Sequence, residues 1–113
     1  MDVAEAVGEG IFRLRWGSAT ILCVTSGEGI AAVAPIFEKP PDKNQPAFFR
    51  RLLEINAEIG GTAAFALHKN GTVALQVGRT LQGLDAQELK IMLATVGKFA
   101  DDWDDRLRAE FYA

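Results

Sequence analysis

The side chains able to do chemistry are few in this chain, and none has a partner at a useful spacing. His68 is the one histidine, and as a general base it would need a substrate proton within reach and a group to orient its ring. It stands beside a hairpin signal and reads as a surface turn residue. Cys23, Ser18 and Ser26 would need an adjacent base to act as nucleophiles, and the sequence supplies none. Asp101, Asp102, Asp104 and Asp105 could suggest a cation site, but helical spacing spreads them round the axis and the loop and glycine of a calcium site are missing. Asp102 with Arg106 and Asp104 with Arg108 are i,i+4 pairs of the favourable order, so the run reads as a solvated helix face. The glycines at 8, 10, 27, 29, 60 and 61 form no phosphate-binding pattern and read as turns. The expectation is a chain that is not an enzyme, with no catalytic residue, cofactor or metal.

A net charge of -3 and a pI near 5.1 offer no basic excess to neutralise phosphates, which argues against a nucleic-acid partner. No stretch approaches the ~20 apolar residues of a spanning helix, and the first ten residues lack an export signal, so no membrane role is expected. The single Cys23 cannot form an internal disulfide, and a reducing cytoplasm suits it best. With 113 residues, 49% of them hydrophobic, residues 1–113 are expected to form one domain with its own core.

The elements that would position these residues follow from periodicity. In residues 1–8, Val3, Ala6 and Val7 are too few apolar groups to make a helix stable alone, and the stretch reads as a short helical turn or frayed arm. Phe12, Leu14 and Trp16 alternate with Arg13 and Arg15, which marks a half-buried strand. Residues 19–25 and 30–37 are apolar on both parities, as in strands that sit centrally or are covered on both faces. Pro35 has no N–H for a ladder, which predicts an edge strand or a strand end. Residues 38–46 form a proline-rich loop. A helix over 47–59 shows Phe48, Phe49, Leu52, Leu53, Ile55 and Ile59 on a broad apolar face and stops at Gly60-Gly61. Residues 62–67, with Ala63, Phe65 and Leu67 on one side, and 72–80, with Val73, Leu75 and Val77 inward, make a hairpin around Asn70-Gly71.

The longest signal runs over residues 84–113. Leu89, Met92, Leu93, Val96, Phe99, Ala100, Trp103, Leu107 and Phe111 recur at three- and four-residue steps and define one helical stripe. Asp85 followed by Glu88 has the form of a capping box. The expected fold is therefore α+β: an antiparallel five-stranded sheet in the order β-β-β-α-β-β-α, with the middle helix and the long C-terminal helix packed on it.

Several of these features occur together in a known superfamily. Leu52-Leu53-Glu54-Ile55-Asn56 at a helix end, the hairpin around Asn70-Gly71, and the run from Leu81 to Leu89 that opens the last helix resemble the type III secretion chaperone-like superfamily. Within it, the Tir-chaperone (CesT-like) and YbjN-type sensory-transduction-regulator families are the nearest. The resemblance covers about residues 9–110. It implies a small acidic cytoplasmic protein, commonly a homodimer, that binds other polypeptides such as an effector or a regulatory protein. Class I secretion chaperones begin with an amphipathic helix that helps grip the effector, whereas here that region is only a few residues long, which favours the YbjN-type regulatory reading as the alternative. A small-ligand carrier or enzyme is a further alternative that no residue cluster supports.

The resemblance also implies a dimer built around the middle helix and neighbouring strand, here residues 47–69. The expected interface residues are Phe48, Leu52, Ile55, Asn56, Ile59 and Phe65, together with Ile91, which lies far round its helix from the buried stripe. Asn56 must hydrogen-bond, either to the backbone of the adjoining turn or across an interface. With helices on one face only, the other face of the two-sided strands needs a cover. The final helix could wrap across it, the sheet could curl on itself, or a partner could bind there.

Overall fold

Turn chemistry divides the first 37 residues into hairpins, and pairing then builds a single sheet. The computed structural model describes residues 5–112. Its elements are strands β1 (Glu5–Gly8), β2 (Ile11–Trp16), β3 (Ala19–Ser26) and β4 (Gly29–Phe37), helix α1 (Gln45–Ile59), strands β5 (Ala64–Leu67) and β6 (Val73–Thr80), and helix α2 (Ala86–Phe111). All pairings are antiparallel and the strand order is β1-β2-β3-β4-β6-β5.

The α+β class with two helices holds, but the sheet has six strands where five were expected. The additional strand is β1, whose four residues pair with β2 through Glu5 with Arg13, Ala6 with Phe12 and Gly8 with Ile11. Four residues show no period, and what orders them is the ladder offered by the edge of β2. Residues 1–4 of the expected arm lie outside the described residues.

Of the two readings of Pro35, the edge strand fails, because β4 lies between β3 and β6, and the strand end holds, because β4 stops two residues later at Phe37. Its pairing with β3 ends at Val33, and the ladder with β6 shifts between Pro35 and Phe37, so the missing N–H falls where pairing is already interrupted. α1 also starts two residues sooner than the loop over 38–46 implied. Proline is accepted in the first turn of a helix, where its N–H would have no partner, and Pro46 sits there. Gly60, at φ 75°, takes the left-handed C-cap and gives its N–H to Asn56 O at 3.2 Å.

Asp85 caps α2 as expected, accepting from the Glu88 N–H at 2.7 Å. The Glu88 carboxylate does not return to the cap. It pairs with Arg79 on β6 at 2.6 Å and ties the helix start to the sheet.

Register fixes which side chains share a face. Leu14 stands opposite Ile21, Cys23 opposite Ala32, Ala34 opposite Leu75, and Leu75 opposite Phe65. These residues form one core cluster with Phe48, Leu52 and Ile55 of α1 and Met92, Leu93, Val96, Ala100 and Leu107 of α2. Both helices therefore cover the same face. Phe12 and Leu67, expected inward by alternation, share that face but lie on outlying strands and remain 42% and 52% exposed. Ala74, between Pro35 and Ala66 on the other face, is fully buried although it lies outside the core cluster.

Two contacts seat α2. Gly97 is buried against Trp16 so closely that a Cβ at 97 would overlap Trp16 Cγ, so a helix-interior glycine is kept for a close approach. At the far end Phe37, Phe48, Phe111 and Tyr112 form an aromatic cluster. The Phe37 and Tyr112 rings stack at 4.1 Å, and the Tyr112 hydroxyl donates to Lys39 O at 2.7 Å.

Candidate protein-binding site

The residues with chemical potential are engaged in structural contacts. His68 Nε2 lies 2.7 Å from Gln76 Oε1. Ser18 donates to Asp101, which pins the β2–β3 turn to α2. Cys23 is buried, and desolvation pushes its thiol above the ordinary range, away from the thiolate a nucleophile needs. Among the described residues no group of three or more His, Cys, Asp or Glu side chains could hold a metal. Asp104 pairs with Arg108 at 3.0 Å as the spacing predicts. Arg106 does not meet Asp102. It lies over the Trp103 ring at 4.9 Å, with Arg51 of α1 at 5.2 Å from the same ring.

The expected interface residues divide sharply. Phe48, Leu52, Ile55 and Phe65 are buried in the chain's own core, so their side chains are already covered within one chain. Ile59 is half-buried and packs on the same cluster. Ile91 alone of the set is well exposed, at 56%.

Asn56 bonds locally. Its Nδ2 donates to Phe65 O at 3.3 Å and its Oδ1 accepts from the Phe65 N–H at 2.7 Å. β5 is an end strand of the sheet, and its main-chain groups would otherwise stand open to pairing. The Asn56 amide occupies both groups of Phe65 as a neighbouring strand would, which blunts that edge.

The opposite face of the sheet has no described element over it. Its centre is built from Leu22 opposite Val33 and Val24 opposite Ala31, with Ile11 opposite Val24 on one side and Pro35 opposite Ala74 on the other. None of these belongs to the core cluster, and Leu22, Val24, Ala31 and Val33 are half-buried. Arg13 opposite Leu22, Gln76 opposite Val33, and Arg15 opposite Thr20 border this apolar centre. The signal was present in the sequence as strands apolar on both parities. α2 does not wrap round to this face, because its buried stripe is wholly engaged on the other one.

Comparison with known proteins agrees with this architecture. The family model YbjN, described as "Putative bacterial sensory transduction regulator", matches residues 3–109. No curated protein matches the sequence. Among solved structures, a chain of the heterodimeric ExoU–SpcU complex from the type III secretion system of Pseudomonas aeruginosa superposes with a TM-score of 0.71 at 12% identity, covering 89% of this chain and 85% of that one. A chain of the ExsC–ExsE complex gives 0.69 at 17% identity, covering 91% and 80%. A chain of the HopA1–SchA chaperone–effector complex gives 0.68 at 14%, covering 93% and 83%. At these identities the likeness is one of fold. Among the described residues no helix is long and apolar enough to cross a membrane.

Proposed function

The chain belongs to the YbjN family, and we propose that it is a non-catalytic protein-binding module that takes a polypeptide partner across the open face of its sheet and works as a homodimer. The observation that carries this reading is that face, an apolar centre of Leu22, Val24, Ala31 and Val33 framed by polar residues, with both helices on the other side. An apolar centre inside a polar rim is the composition of a protein interface rather than of an ordinary solvated sheet. The similar folds named above come from structures of protein complexes, one of them described as chaperone and effector, which supports partner binding.

The regulatory form of this reading, without a secretion substrate, is supported by the description of the matching family as a sensory transduction regulator.

A photo-crosslinking amino acid at Val33, compared with one at Arg50 on the exposed side of α1, tests the proposal in cells. The expected result is a defined polypeptide joined at Val33 and not at Arg50. That polypeptide, once purified, is expected to bind at least ~10-fold more weakly to Leu22→Asp, the loss typical of a disrupted interface centre. Equal capture at both positions, or binding indifferent to Leu22→Asp, would contradict it.

A further inference from the structure

Strand register arranges the open face in rows. Arg13, Leu22, Val33 and Gln76 stand side by side across β2, β3, β4 and β6. In the next row Ile11, Val24, Ala31 and Gly78 do the same, and in the row on the other side Arg15 stands opposite Thr20. The apolar strip is therefore centred on two strands, with Leu22 and Val24 on β3 and Ala31 and Val33 on β4. Two strands ~4.8 Å apart, with their side chains, make a strip roughly 10 Å across, which is the width of one α-helix.

The two margins of the strip differ. On the β6 side stands Gln76, hydrogen-bonded to His68 at 2.7 Å. On the β2 side stand Arg13 and Arg15, both exposed. Arg13 lies opposite Glu5 in the ladder, whereas Arg15 forms no ion pair among the described residues. Among the described side chains of these rows there is no carboxylate, although the whole chain carries a net charge of -3. A second copy laid on the same face would bring more arginine and no carboxylate to the contact, so the face is not self-complementary.

The main chain of the face is also fully engaged. β2, β3, β4 and β6 each have a neighbouring strand on both sides. A polypeptide lying on the face finds no backbone partner there. A single extended segment would set its own N–H and C=O groups against Leu22 and Val33 without hydrogen bonds, whereas a helix satisfies them internally.

We propose that the open face receives one amphipathic helix of the partner polypeptide, apolar where it meets Leu22, Val24 and Val33 and acidic along the flank that passes Arg15. This rests on the proposed reading of that face as the binding site and gives its partner a shape and a charge. The apolar strip supplies most of the contact, and Arg15 at the rim sets the orientation of the helix and hastens its arrival.

Mass spectrometry of the adduct formed at Val33 identifies the bound segment, and a synthetic peptide of that segment is the probe. The peptide is expected to carry Asp or Glu at three- and four-residue steps beside an apolar stripe, and to gain helical circular dichroism on binding. By fluorescence anisotropy, Arg15→Glu is expected to bind it about 3- to 10-fold more weakly than wild type, with an unchanged protein spectrum. A peptide with those acidic residues replaced by lysine is expected to prefer Arg15→Glu over wild type. Proline at the centre of the peptide is expected to weaken binding about 10-fold or more. A segment without acidic residues, or equal affinity for Arg15→Glu, would overturn the acidic flank, and undiminished binding of the proline peptide would overturn the helix. In either case a loss of binding in Leu22→Asp leaves the reading of the open face intact. A second copy of this chain as the species joined at Val33 would overturn the inference and keep the face as an interface. No adduct at Val33 would overturn the reading itself and the inference with it.

Discussion

The two faces of the sheet are made by the same strands and differ in what their residues do. On one, Leu14, Ile21, Ala32, Ala34, Val73 and Leu75 meet both helices and are buried nearly completely. On the other, Leu22, Val24, Ala31 and Val33 are the neighbours of those residues in sequence, yet they are only half-buried. The difference teaches that the larger share of the burial, and so of the hydrophobic stabilisation, lies on one face, whereas the other keeps apolar surface partly open. Apolar surface left partly open is available for binding.

Substitutions of matched chemistry on the two faces should separate these roles. The largest effect is expected from Ile55→Asp, which puts a carboxylate into a fully buried position without a charged partner. A cost of roughly 4 kcal/mol or more is a large part of an ordinary domain's stability, so the circular dichroism spectrum should be that of a mostly unfolded chain. Next, Asn56→Leu strips both bonds from Phe65 and should cost about 1–3 kcal/mol in urea unfolding. It should also speed hydrogen exchange at the Phe65 amide, because the edge of β5 is then open.

Gly97→Ala sets two terms against each other. Alanine gains about 1 kcal/mol of helix propensity, but its Cβ overlaps Trp16, and overpacking of that kind costs about 1–3 kcal/mol. A net loss of about 1 kcal/mol is expected, and an unchanged or raised midpoint would show that α2 sits further from the sheet.

Tyr112 reports on the sealed end of the covered face and is the only tyrosine, so absorbance titration reads it alone. Burial, partly offset by Arg108, raises its phenol to about 12, against about 10 in an unfolded chain. Below pH 10 the unfolded and folded chains hold the same proton. As pH rises from about 10 to about 12 the unfolded chain loses it first, so stability falls across that window. A midpoint near 10 in the native protein would mean that the aromatic cluster is open to water. The smallest effect on stability is expected from Leu22→Asp, within about 1 kcal/mol, since water reaches that position and no helix packs on it.

Much of this arrangement was legible from local chemistry. Gly60 at the helix stop, Asp85 at the cap of α2 and the Asn70-Gly71 turn each act on backbone within a few residues of themselves, so short stretches of sequence suffice to read them. The two-sided strands announced the open face for the same reason. β1 was not legible, because Ala6 and Val7 carry no period and are ordered by pairing with a strand they precede. Pro35 left two readings open, an edge strand or a strand end, and the choice between them depends on where β3 ends, a fact of the sheet rather than of the strand. Asn56 could be read as needing partners, but the partner, Phe65, became visible only once β5 lay beside α1. Phe48, Leu52 and Ile55 show the same limit. Periodicity finds an apolar face without saying whether the chain or a second molecule covers it.

The division between a face that folds and a face that binds is tested most directly by methyl NMR of the protein with increasing amounts of the polypeptide captured at Val33. The methyl signals of Leu22, Val24 and Val33 should shift or broaden together, while those of Ile21, Leu75 and Val96, on the covered side, keep their positions. Perturbation centred on the covered side, or none on Leu22, Val24 and Val33, would contradict it.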